Sequence, residues 1–240
     1  MNHPIKISPD HLKETIVEIR YTSKVPFEVA IGLFFSKLDD SYIYSGLGSK
    51  VPADIENISK ITFRLEPGCI FYNDKIRVEC LKNKFIFNAT NISQEGPDYP
   101  GWSIYSEEIR KILTFFEEAG VIQSYKWVGL RYISEYPEMS LQDISYFSQS
   151  TTVPEGLHPK NIHSRQEYIK EDCRIILGLN QNETNGKVVS VIDIDVIKEV
   201  ITTKSLEELI HILNSNHDLQ KDVFFTLLNK TYFSTLKVDM

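Results

Sequence analysis

Two short stretches of this chain read alike. Val17-Glu18-Ile19-Arg20-Tyr21 and Val128-Gly129-Leu130-Arg131-Tyr132 share the pattern V-x-[I/L]-R-Y. Each alternates in the period of two that gives a strand one core-facing side. A chain that starts the same strand twice is most simply read as two similar halves, residues 1–122 and 123–240, which can still form one continuous domain. The second strand, over residues 125–136, then opens the second half.

The pattern between and after these strands supports that reading. In the first half, strict alternation over residues 14–22 leads to Pro26, which suits a first helical turn, and to a helix over residues 27–38. Residues 39–60 read as loop. From 61 to 89 the period switches to two, giving strands at 61–65, 69–72, 76–81 and 84–89 joined by tight turns, an antiparallel meander. Residues 103–119 then show helical spacing of Ile109, Ile112, Leu113 and Phe116, with Gly120 as a C-terminal cap. In the second half a short helix is expected over 141–149, a loop over 150–163, and strands at 166–170, 173–180 and 187–197. Ser205 and Glu208 form a capping box for a closing helix that breaks near 214–218. Each half thus reads strand, helix, three or four antiparallel strands, helix. The class is α+β, with helices on one face of a largely antiparallel sheet and a pseudo-twofold relating the halves.

Size and composition bound the function classes. A chain of 240 residues can bury a sizeable core without staples, and 13 Phe with 12 Tyr argue against disorder. With 26 basic and 33 acidic residues the net charge is −7, which repels phosphate backbones and makes nucleic acid an unfavoured partner. Cys69, Cys80 and Cys173 are odd in number and sit in apolar runs, as core residues of a protein in a reducing compartment do. The first residues hold no apolar leader, and no run approaches the roughly 18 apolar residues of a membrane span. The expectation is a soluble cytoplasmic protein with no membrane partner, on which the several N-x-[S/T] triplets carry no sugar.

Arg131 is the residue of most interest. In alternation it shares a face with Trp127, Gly129 and Ile133, so its guanidinium either pairs with an acid or lines a cleft. Asp193 and Asp195, on one face of the strand at 188–197, are the candidate acids. A structural ion pair is the simpler reading; in the functional one Arg131, with Arg20, grips an anion or a partner's carboxylate bidentately. Asp193 and Asp195 lack a third identifiable ligand for a divalent cation. His217 falls on the apolar stripe of the closing helix. His211 lies about 120° around that helix from it, off the i, i+4 spacing of a metal pair. Nothing near Cys173 announces a base or an oxyanion site, so it reads as packing. Gly46-Leu47-Gly48-Ser49-Lys50 lacks the spacing of a phosphate loop.

Three stretches carry a family resemblance: Val17 to Tyr21, then Tyr99-Pro100-Gly101-Trp102 before a helix, then Gly129-Leu130-Arg131-Tyr132-Ile133-Ser134. Together they resemble a sporadically distributed bacterial family with a V-E-[I/V]-R-[F/Y] start, a Gly-Trp before the middle helix and a G-L-R-Y-I-N centre. The Ile192-Asp193-Ile194-Asp195 strand and a final helix with His217 and Phe224 are similar too. Ser134 departs from the usual Asn. The resemblance implies no reaction, no cofactor and no catalytic residue. The sequence therefore points to a non-catalytic binding protein for a protein partner, a second copy of itself or a small ligand. The alternative is an enzyme with a pocket between the halves, using Arg131 to hold an anionic substrate and Asp193, Asp195 or His217 to move a proton.

Overall fold

The computed structural model describes residues 4, 6–45, 68–90, 99–146, 160–203 and 205–239. In chain order the described elements are β1 (Lys6–Ser8), β2 (Leu12–Ser23), α1 (Phe27–Phe35), β3 (Ile43–Tyr44), β4 (Gly68–Tyr72), β5 (Arg77–Leu81), β6 (Lys84–Thr90), α2 (Trp102–Glu118), β7 (Ile122–Pro137), α3 (Leu141–Ile144), β8 (Asn161–Lys170), β9 (Cys173–Thr184), β10 (Lys187–Thr203), α4 (Leu206–Leu227), α5 (Lys230–Phe233) and β11 (Lys237–Asp239). Nine strands form a largely antiparallel sheet in the order β3-β4-β5-β6-β2-β7-β10-β9-β8, and β1 pairs with β11 apart from it. The α+β class read from the sequence is the class observed. The expected strand at 61–65, the 46–50 stretch and most of the 150–163 loop lie outside the described residues. No described helix is long and apolar enough to cross a membrane.

The chain divides into two compact units. One holds residues 17–128 and 200–210, the other residues 1–16, 129–199 and 211–240. In the first, the β4–β5–β6 meander keeps strict register, with Cys69 opposite Cys80 and Val78 opposite Phe87. The Asn73 carboxamide caps the β4–β5 turn by accepting from the Lys75 and Ile76 amides. Phe34 of α1, Phe85 of β6 and Phe116 of α2 meet ring to ring, and Tyr21 of β2 stacks on Phe85 at 4.4 Å. Both helices therefore cover the face that carries Phe85. Gly101, just before α2, has φ of 91°, a region only glycine enters freely, which accounts for glycine before Trp102. The buried Glu108 carboxylate on α2 accepts from Tyr42 and from Asn73 at 2.9 Å, tying two loops to the helix. Helix α1 stops at Phe35, short of Leu38, as its last turn tightens and Ser36 Oγ bonds back to Leu33.

In the second unit β9 and β10 pair from Lys187 opposite Thr184 to Lys198 opposite Cys173. Their turn is Asn185-Gly186, both at positive φ, which matches the twist of the strands. The polar run before it is strand, so the turn is shorter than its composition suggests. Strand β8 begins at Asn161, earlier than expected, because only Ile162 of its first residues is buried and the apolar alternation is lost. The core joins Ile175, Leu177, Ile192 and Ile194 to Leu141 of α3, Leu219 of α4 and Tyr232 of α5, so all three helices lie on that one face.

Helix α4 runs unbroken through residues 214–218. Of the polar residues that suggested a break, Asn214, Ser215 and Asp218 lie on the exposed side of the continuous helix, while Asn216 is fully buried and donates to the Val196 carbonyl at 3.3 Å. Only half of the expected capping box at its start forms. Ser205 Oγ accepts from the Glu208 amide, but the Glu208 carboxylate takes the Thr203 hydroxyl instead of the Ser205 amide. A complete capping box stands at Ser140 and Asp143.

Replacing Phe85 with Ala removes a ring shared by four aromatic partners, Tyr21, Phe34, Phe87 and Phe116, and should lower unfolding stability by about 3–5 kcal/mol. Ile104→Ala, at a position 48% exposed, should change it by no more than about 0.5 kcal/mol, both read from urea midpoints.

Candidate functional site

The second part of β7 positions two consecutive polar side chains in opposite directions. Arg131 points to the face away from α3, α4 and α5. Its Nε donates to Asp193 Oδ1 at 2.8 Å and its Nη2 to Asp193 Oδ2 at 2.6 Å, the parallel fork that fits a guanidinium to a carboxylate. The fork forms because β7 and β10 are neighbours in the sheet and Asp193 projects to the same side. Gly178 of β9 lies directly opposite Asp193. A Cβ at Gly178 would stand 3.3 Å from Asp193 Cβ and 3.5 Å from Oδ2, so the missing side chain leaves room for the carboxylate.

The Arg131–Asp193 pair is part-exposed, with 43% and 23% of the two side chains open to water. The hydrogen-bonded Asp193 carboxylate raises the guanidinium's pKa above its ordinary value against the effect of burial, and the fields of Asp193, Asp195 and Glu14 add to it. Around the pair, Ile133, Ile176 and Val191 are half-buried, giving the face a mixed apolar and charged character.

Tyr132, the next residue, points to the helix face. Its hydroxyl meets His217 Nδ1 of α4 at 3.0 Å. Burial of the imidazole, helped by the nearby Lys221 ammonium, lowers the His217 pKa from 6.5 to about 3, so the ring is neutral near neutral pH. Next to it on α4, the Asn216 carboxamide oxygen accepts from Cys173 Sγ at 3.7 Å. Burial raises the pKa of that thiol, against the requirement for a reactive cysteine.

Of the residues singled out in the sequence, Arg131, Asp193 and Asp195 thus come together on one face, and His217 lies on the other. The cleft that a proton-transfer role shared by Arg131 and His217 needs is not formed. Arg20 belongs to the other unit. It is 54% exposed, donates to Glu18 at 2.7 Å and lies over the Trp127 ring at 4.4 Å. Tyr132, Gly178 and Glu14 were not singled out. An isolated glycine inside an alternating strand is the signal that identifies Gly178, since it marks a close approach. Among the described residues no group of three or more His, Cys, Asp and Glu is placed to hold a metal ion. No protein-family model matches the chain, and no curated protein matches it.

Asp193→Ala leaves the guanidinium without its fork; because the pair is part-exposed, the expected loss is about 1 kcal/mol in urea unfolding. Folded His217 stays neutral down to about pH 3 while the unfolded side chain titrates near 6.5. Its contribution to stability is full above pH 6.5, falls as the unfolded chain takes up the proton, and levels off below about pH 3. His217→Gln should flatten that part of the stability–pH curve between the two values, and an unchanged curve would refute the assignment.

Proposed function

We propose that the chain is a non-catalytic binding protein whose recognition surface is the sheet face carrying Arg131 and Asp193. The observation that supports this is the fork itself. A carboxylate holds the guanidinium rigidly on a half-apolar face away from the helices of its unit. Two of the five N–H groups of Arg131 are used by Asp193, and Nη1 donates to no described residue. A pre-oriented donor beside Ile133 and Ile176 suits a protein partner's backbone carbonyls or a small polar ligand, since little side-chain freedom remains to be lost on binding. The net charge of −7 speaks against nucleic acid as that partner, and three free cysteines favour a reducing, cytoplasmic setting.

The fork and the Tyr132–His217 bond also bear on ancestry. The residues of the G-L-R-Y-I-S stretch meet those of the I-D-I-D strand and the His of the last helix, which favours membership of the bacterial family that these stretches resemble. A set of relatives in which either member of the Arg131–Asp193 pair changes without the other would remove this support.

The strand order favours the two-half reading as well. Taken from one end, it runs β3-β4-β5-β6-β2, and from the other β8-β9-β10-β7, in each case a meander ending on the strand that opens a half, with the two-residue β3 extra in the first. Both opening strands place Arg outward and Tyr inward. A crystal structure in which the two runs fail to superpose would end that reading.

The binding proposal is tested by native mass spectrometry of the protein purified gently from its own cells. The expected result is a bound species seen with wild type and with Ile104→Ala, and lost with Arg131→Ala. A wild-type mass equal to the bare chain, or a bound species indifferent to Arg131, overturns it.

A further inference from the structure

The nine-stranded sheet ends on β8, so among the described strands β8 has a partner, β9, on one side only. Edge strands are normally shortened, bulged or broken by proline to stop them pairing with other chains. Strand β8 runs ten residues without proline and pairs with β9 in continuous register. It is also open to solvent, with Tyr168 47% and Ile169 73% exposed. Its protection is limited to charge. Arg165 and Glu167 are exposed on either side of Gln166, and both lie on the face away from the helices.

Those charges discriminate between registers. In an antiparallel pairing of two β8 strands that keeps each face of the sheet continuous, the twofold axis passes through a residue. An axis at Arg165 sets arginine against arginine, and one at Glu167 sets glutamate against glutamate. An axis at Gln166 sets each Arg165 opposite the other copy's Glu167, twice, with Gln166 facing its own counterpart. Arg165 forms no ion pair with a described residue, and Glu167 has only Arg174 at 3.9 Å, so both are available. The same charges that repel an arbitrary strand therefore complement a second copy of this one.

We propose that β8 is a self-association edge through which two copies pair antiparallel about Gln166, extending the sheet across the dimer. Arg165 and Glu167 share the face of Arg131 but stand on the edge strand, with β10 and β9 between, and the two proposals are read from different variants, so either can fail without the other. The pairing requires only that the outer backbone groups of β8, which no described strand meets, be met by those of a second copy, the addition of a strand to an open edge.

The test is sedimentation velocity on the full chain. Wild type should form a dimer at concentrations up to about 0.1 mM. Arg165→Glu and Glu167→Arg each place like charges opposite one another twice and should weaken that dimer about tenfold or more. An equal mixture of the two variants restores both opposite-charge pairs and should recover dimer, as should the double variant alone. Circular dichroism matching wild type confirms that each exposed substitution leaves the fold intact. A monomeric wild type, a dimer indifferent to both variants, or a mixture that stays monomeric overturns the proposal.

Discussion

Consecutive residues of a strand face opposite ways, and Arg131 and Tyr132 turn that geometric fact into two attachments. One fastens β7 to β10 through a carboxylate, and the other fastens it to α4 through an imidazole. A shift of one residue in the register of β7 would send the guanidinium into the apolar core and the phenol into solvent. The cost of an unpaired buried guanidinium is far larger than the worth of any single apolar contact, so the pair of residues fixes register more firmly than the hydrophobic pattern alone. Gly178 is part of the same constraint. It gives up strand-forming tendency so that the Asp193 carboxylate has room to lie flat against its partner.

The other unit is held by a different force. Its centre is an aromatic cluster, Tyr21, Phe34, Phe85 and Phe116, contributed by two strands and two helices. Area removed from water supplies the stabilisation there, and the polar contacts serve to place loops. Glu108 shows this: a buried carboxylate is expensive unless its lone pairs are met, and it is met by side chains from two separate loops. Arg20 remains at the surface with a neighbour two residues away on its own strand, a contact that contributes little.

How far the sequence carried depended on how much of each element faces the core. Strands with one buried face announced themselves, and β2, β4, β6 and β7 lie close to where alternation put them. Strand β8 did so only over residues 166–170; its first half was missed, because at the end of the sheet only Ile162 of those residues is buried and no apolar alternation marks them. Asn216 misled for the opposite reason. A run of polar residues in a helix suggests solvent or a break, yet Asn216 is buried and makes bonds that no local pattern encodes. The partner of Arg131 was legible because few acids lie on strand faces that can meet it; the opposite direction of His217 follows from alternation combined with helix placement. Glu14 was not legible, since its nearness to Arg131 depends on which strands are neighbours.

The Arg131–Asp193 fork is better understood as a device of placement than as one of stability. In water-exposed surroundings an ion pair contributes little, because solvent screens the attraction and ordering two side chains costs entropy. Deep burial would strengthen the attraction but add a desolvation penalty that often cancels it. The observed exposures lie between these limits, where the pair is shielded enough to hold one geometry and open enough to be met from outside. If the chain needed only a firm link between β7 and β10, two branched aliphatic side chains facing each other across the strands would serve as well, without the glycine on β9 that the carboxylate demands. Arginine at this position gives what an apolar pair cannot: donors at a fixed angle on the sheet face opposite α3, α4 and α5.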